Sequence, residues 1–202
     1  PDVPISATPA DADRALATAA ELFPTFRHSD PVARARVLLR AANLLRAQRD
    51  ALSALIVREN GKNWRNADAD VAEAIDFCDY YARTALDLFT PRRLGRYTGE
   101  LNEVLHEPRG VCVVIPPWNF PLAIAAGMVV AALVTGNTVI LKPAEQTPAI
   151  ARRLVDLLHT ALAAENLPVA AVQFLPGQGE TVGAYLVRDP RVSVIAFTGS
   201  RD

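Results

Sequence analysis

The chain has 202 residues, 50% of them hydrophobic and 21% charged, an ordinary globular composition with material for one good core or two small ones. Twenty-one basic residues against twenty-two acidic ones leave a formal net charge of −1 and no electrostatic reason to expect nucleic acid or an anionic membrane as partner. The longest apolar stretch, Leu122 to Val134, suits a buried helix and is too short for a membrane span.

From the N-terminus, PDVPISATPADADR has neither the basic nor the apolar region of a signal peptide. Ala10 to Leu22 is a helix-rich run expected to stop at Pro24. Ser29 and Asp30 before Pro31 give a helix start, with a capping oxygen followed by proline in the first turn. Behind it Leu38, Ala41, Ala42 and Leu45 repeat at helical spacing, with Arg36, Arg40 and Arg46 on the other side. Leu52, Leu55 and Ile56 belong to a further helix ending near Asn60-Gly61. A long helix then carries Val71, Ile75, Cys78, Ala82 and Leu86 on one face. Pro91 ends the helical region, and YTGELNEVLHEPRG is polar and extended, either an exposed β-ribbon in need of a partner or a surface loop.

From Val111 the rhythm becomes strand, helix, strand. Strands are expected at Val111 to Ile115, Thr138 to Leu141, Ala171 to Leu175 and Ser193 to Phe197. Helices are expected at Pro121 to Val134, Pro148 to Ala164 and Gly179 to Val187. Continuously apolar strands fit a parallel sheet covered on both faces. The fold class is therefore α/β: N-terminal helices followed by a Rossmann-like, doubly wound parallel sheet, with ligands bound beyond the carboxyl ends of the strands.

That rule directs attention to four strand-to-helix junctions, IPPWN, KPAEQTP, PGQGETVG and FTGS. Asn119 is a side-chain amide in a segment stiffened by prolines, so it is either a preorganised donor for an oxyanion or the head of an Asx turn. Lys142 and Glu145 could bind the hydroxyls of a ribose, or they are a strand-end lysine and a helix-capping glutamate. Gly177, Gly179 and Gly183 form G-x-G-x-x-x-G, one residue longer than the Rossmann fingerprint, and small residues there let a helix N-terminus approach a phosphate or an adenine ring. Thr198, Gly199 and Ser200 make a possible anion site or a plain turn. Cys78 and Cys112 lie in apolar surroundings as small core residues, form no disulfide framework and suit a reducing, cytoplasmic compartment. His28, His106 and His159 are scattered without metal-ligand spacing, so no metal is expected.

In this order and spacing, PWNFP, LKPAEQTP, LPGQGETVGAYL and AFTGS resemble the N-terminal half of the aldehyde dehydrogenase superfamily over essentially the whole chain. ADADVAEAIDFCDYYA, LNEVLHEPRG, GETVGA and FTGSRD resemble its 1-pyrroline-5-carboxylate (glutamate semialdehyde) dehydrogenases, which occur alone or within bifunctional proline-utilisation proteins. The chain reads RENGKNW where related enzymes would more often have something like REAGKT. The resemblance implies that Asn119 helps hold the oxyanion and that Ile115, Pro116 and Trp118 line the nicotinamide side of NAD. It further implies Lys142 and Glu145 at the adenosine ribose, Gly179 and Gly183 at the adenine, and Gly199 and Ser200 near the pyrophosphate. A carboxylate at Glu145 would favour NAD over NADP by repelling a 2′-phosphate.

By the same resemblance, residues 1–202 are a dinucleotide-binding domain interrupted by an oligomerisation arm at 94–108, and the parent is a homo-oligomer acting on a small-molecule aldehyde. The family's thiolate nucleophile and water-activating glutamate follow the FTGS segment, and Cys78 and Cys112 do not match the nucleophile, so the chain alone is expected to be inactive. Two other readings stay open: a non-catalytic nucleotide-binding or assembly module, and a dehydrogenase for another semialdehyde or an aliphatic aldehyde.

Overall fold

A computed structural model describes residues 6–200 of the chain; the first five residues of the N-terminal segment and the Arg201-Asp202 end of FTGSRD lie outside the described residues. Four helices come first: α1 (Pro9–Phe26), α2 (Pro31–Ala47), α3 (Arg49–Asn60) and α4 (Trp64–Leu88). Helix α1 starts with a capping box, the Thr8 N–H donating to Asp11 Oδ2 at 2.7 Å and the Asp11 N–H to Thr8 Oγ1. It does not stop at Pro24. A proline so near the end forfeits little of the helical bonding, and the Arg27 N–H closes the last turn on the Phe23 carbonyl at 2.9 Å. Helix α2 begins as expected, with Asp30 accepting from the Val32 N–H at 3.0 Å, and α3 ends at Gly61, whose φ of 79° is the left-handed conformation glycine adopts freely. On α4 the inward face is Ala67, Asp70, Val71, Ala74, Ile75, Cys78, Ala82 and Ala85; Leu86 is exposed, because the 3.6-residue period drifts and Ala85 takes the inner position.

The segment after α4 is a ribbon. Strands β1 (Arg92–Arg93) and β2 (Glu103–Val104) pair antiparallel, the Leu94 N–H extends the ladder to the Asn102 carbonyl at 2.8 Å, and Leu94, Tyr97, Leu101 and Leu105 are exposed along it.

The remaining strands, β3 (Val111–Ile115), β4 (Thr138–Leu141), β5 (Val172–Phe174) and β6 (Val192–Phe197), form one parallel sheet in the order β5-β4-β3-β6. Helices α5 (Ala123–Val134) and α6 (Pro148–Ala164) follow β3 and β4; one π-helical turn (Gly179–Gly183) leads into α7 (Ala184–Arg188) before β6. Alternation along the strands divides the core. Cys112, Val114, Val139 and Leu141 face the large cluster with α2, α4, α5 and α6. Val111, Val113 and Ile140 face a smaller one with Ala12, Leu16 and Ala19 of α1 and Leu186 of α7. Two polar ties pin α1 to the sheet: Thr138 Oγ1 donates to the Ala19 carbonyl at 3.1 Å and Gln173 Nε2 to the Ala15 carbonyl at 2.8 Å.

Coverage on both faces holds for β3 and β4, which are buried almost throughout, and fails for β6. As an edge strand with one neighbour, β6 alternates between half-buried and exposed positions, with Ile195 and Phe197 exposed. Among the described residues no helix is long and apolar enough to cross a membrane, and no group of three His, Cys, Asp or Glu side chains could hold a metal ion.

Asn137, in the turn before β4, accepts from the Arg109 and Gly110 N–H groups at 2.7 and 3.0 Å and donates to the Ala132 carbonyl and Thr135 Oγ1. Asn137→Ala leaves two backbone donors at the entry to β3 without their acceptor, and urea denaturation should read a loss of about 2–4 kcal/mol.

Candidate functional site

The chain runs β3, β4, β5 towards one edge and returns to β6 on the other side of β3, so the order reverses between β3 and β6. In an open α/β sheet the crevice beyond the strand ends at such a reversal is where ligands bind. The IPPWN and FTGS segments flank that point: Ile115 pairs with Phe197, and the Thr198 N–H reaches the Ile115 carbonyl at 3.4 Å. KPAEQTP and PGQGETVG lie on the other side of β3, at the ends of β4 and β5. The four junctions thus form one row along a single edge of the sheet.

At the β4 end, Lys142 is buried and its Nζ donates to Glu145 Oε1 at 2.8 Å. The same oxygen accepts the Gly179 N–H at 2.8 Å, joining the second and third junctions. Glu145 therefore caps no turn of α6. That helix has no cap from Thr147; Glu59, at the end of α3, accepts from the Ala149 and Ile150 N–H groups at 2.6 and 2.9 Å instead. Glu145 remains 46% exposed, so one face of a fixed carboxylate is open to a ligand.

Burial pushes the Glu145 carboxyl up, but the Lys142 hydrogen bond, the Lys142 charge and the N–H groups of Glu145 and Gly179 outweigh it and hold the pKa below the usual 4.5. The glycines nearby differ in what they need. A Cβ on Gly177 would lie 2.6 Å from Val182 Cγ2, so the chain's own packing demands glycine there. On Gly179 or Gly183 a Cβ would meet nothing closer than 3.9 Å, so this chain's own packing does not require glycine there; Gly179 is exposed and its bare surface is available to an approaching ring, while Gly183 is buried behind it. A cleft of about 100 Å³ beside them is lined by Ser6, Pro143, Glu145, Pro148 and Gly177 among others.

At the β3 end Pro116 is buried, Ile115 half-buried, and Trp118, Asn119 and Phe120 exposed. The Asn119 amide makes no hydrogen bond among the described residues, so there is no Asx turn. The loop is held from below. Asn60 Nδ2 donates to the Trp118 carbonyl at 2.6 Å, and Lys62 Nζ sits 3.9 Å from the Phe120 ring centroid. Lys62 also pairs at 2.7 Å with the fully buried Asp70, which accepts the Ala123 N–H of α5 through its other oxygen at 2.7 Å. Sequence reasoning missed Glu59, Asn60, Lys62 and Asp70. The available signal was Asp70, an acidic residue on the apolar stripe of α4, since a carboxylate seldom goes inside unpaired. Gly199 and Ser200 are exposed beyond β6.

Cys78 and Cys112 are core residues. Burial pushes the Cys78 thiol up to about 12 and the Cys112 thiol up to about 11, which removes the thiolate that a nucleophile requires.

A profile of the aldehyde dehydrogenase family matches residues 3–202. The 1-pyrroline-5-carboxylate dehydrogenase of Bacillus licheniformis is 49% identical over 196 residues, covering 97% of this chain and 37% of that protein. That of Geobacillus thermodenitrificans is 50% identical over 191 residues, covering 95% of this chain and 36% of that protein. Among solved structures, proline utilization A from Bdellovibrio bacteriovorus superposes with a TM-score of 0.93 at 44% identity, covering 96% of this chain and 20% of that one. The 1-pyrroline-5-carboxylate dehydrogenase from Thermus with bound NAD gives 0.91 at 47% identity, covering 96% of this chain and 37% of that one. The chain thus spans a little over a third of the length of the curated relatives it matches.

The depressed Glu145 pKa has a readable consequence. Its carboxylate's contribution is complete above 4.5, the usual glutamate value, and is lost as pH falls through the lower folded value. Carbon-detected NMR titration of the Glu145 side chain should give a midpoint below 4.5, moving up towards it in Lys142→Met.

Proposed function

The chain belongs to the aldehyde dehydrogenase family, and on that premise we propose that it forms the NAD-binding half of an enzyme oxidising L-glutamate γ-semialdehyde to glutamate in proline catabolism. The observation that carries the cofactor reading is the fixed, half-open carboxylate of Glu145 between Lys142 and the uncrowded Gly179. Such a carboxylate accepts hydrogen bonds from both hydroxyls of the adenosine ribose, with Lys142 donating to one of them, and repels a 2′-phosphate. The exposed Gly179, with the buried Gly183 one turn behind it, is the adenine side of the site, while Gly199 and Ser200 lie near the pyrophosphate. Ile115, Pro116 and Trp118 border the nicotinamide. Bound there, NAD supplies the hydride acceptor.

Asn119 is the donor for the negative charge that develops on the aldehyde oxygen when a nucleophile adds to the carbonyl carbon. Its exposed amide, engaged with nothing else among the described residues, supports that role. In the family the thiolate nucleophile and the water-activating glutamate follow the FTGS segment. Residues 1–202 act as the dinucleotide-binding domain, and residues 94–108 as an arm through which a second copy pairs; the exposed Leu94, Tyr97, Leu101 and Leu105 support this. The two free cysteines favour a cytoplasmic location.

Calorimetric titration tests the cofactor reading. NAD should bind more tightly than NADP, and Glu145→Ala should weaken NAD roughly 10- to 100-fold, the loss of hydrogen bonds to a charged group. Equal affinities in parent and variant would remove Glu145 from the ribose. A polypeptide of these 202 residues alone should leave glutamate semialdehyde and NAD unchanged in an assay for NADH.

A further inference from the structure

We infer that Asn60 is a positioning residue for Asn119, holding the PWN loop so that the Asn119 amide is aimed before any substrate arrives; this rests on the reading of Asn119 as the oxyanion donor. Helix α3 ends at Asn60, and Gly61, left-handed at φ 79°, turns the chain sharply there. The Asn60 side chain bonds to none of its own helix's carbonyls; its Nδ2 crosses 58 positions of sequence to the Trp118 carbonyl at 2.6 Å. That carbonyl belongs to the same planar peptide group as the Asn119 N–H. Holding it restrains the plane from which residue 119 continues, leaving the Asn119 φ and the side-chain torsions to set.

Packing does not do this work in place of the hydrogen bond. Trp118 is 52% exposed and Phe120 41% exposed, so neither ring is buried deeply enough to immobilise the segment. The next fixed points are Phe120, under Lys62, and Ala123, whose N–H is taken by Asp70. Asn119 thus lies between two anchored neighbours, and the one on its N-terminal side is held through Asn60. A donor aimed in advance stabilises developing charge without reorganising during the reaction. The turn at 59–62 also carries Glu59, which holds the start of α6, so one corner sets the nicotinamide-side and ribose-side junctions relative to each other.

The test uses the 202-residue chain in a Trp64→Phe background, which leaves Trp118 as the single indole. Time-resolved fluorescence anisotropy of Trp118 is measured for the parent, Asn60→Ala and Asn60→Asp, with melting temperatures alongside. Aspartate is nearly isosteric but, ionised, has no N–H to donate. Both variants should release the loop, raising the ratio of released to held loop roughly fivefold as the larger fast-motion amplitude, which is the loss expected for one net hydrogen bond. Glu59→Gln, which loosens the start of α6, should leave Trp118 motion unchanged. If the two Asn60 variants melt earlier yet leave Trp118 anisotropy as it was, Asn60 is a fold-stabilising residue only and the inference is wrong. Should the alanine variant unfold, the aspartate variant decides. NAD titration of the same proteins bears separately on the cofactor reading: a parent that binds no NAD counts against that reading, while the anisotropy still decides the role of Asn60.

Discussion

Asp70 is a carboxylate removed from water, and its burial constrains everything around it. An ion in that position is costly unless its partners are complete, and removing one partner of such a pair is far worse than never having built it. Here the partners come from two directions. Lys62 arrives from the turn after α3, and the Ala123 N–H from the first turn of α5. A helix that carries no side-chain cap of its own is thereby started by a residue 53 positions earlier, and the PPWNFP segment is fixed at its far end. The corner that supplies Lys62 supplies Asn60 and Glu59 as well, so the helical N-terminal region acts as a jig for two of the four junctions.

The sheet provides the other half of the constraint. Parallel strands align all four carboxyl ends on one side, and the chain order reverses between β3 and β6, the place where open α/β sheets bind ligands. Glu145 then joins the β4 and β5 ends through a single oxygen that accepts from Lys142 and Gly179. The row of junctions is tied mainly by polar contacts above an apolar core. That arrangement suits an extended ligand with different chemistry along its length.

Much of this was legible in the residues, and the failures have physical reasons. Val111–Ile115 and Thr138–Leu141 coincide with the expected strands because short runs rich in β-branched residues between turn residues leave little choice. The helix end expected at Pro24 moved to Phe26 because the last turn tolerates a proline, and Leu86 left the inner face of α4 because the helical period drifts over so long a helix. β6 reads as a buried strand because its composition is apolar, whereas Ser193, Ile195 and Phe197 project from a face that the described residues leave uncovered over this strand. The junction motifs identified Asn119, Lys142, Glu145 and the glycines as candidates; the side chains that position them, Asn60 and Glu59, act across 58 and 90 or more positions. Only the folded chain brings them there.

Helix α1 carries a consequence for the order in which the molecule is made. Its inner residues Ala12, Leu16 and Ala19 dock on strands from the far end of the sequence, and the tie from Gln173 to Ala15 spans 158 positions. The seat of the helix is built mainly from β3 and β4, with Gln173 of β5 adding a polar tie, so none of it is local to the helix. Contacts of such range are slow to close, and surfaces left bare meanwhile invite misassociation. Sequence order and contact order thus run opposite ways here: the first helix is seated only on strands that come long after it.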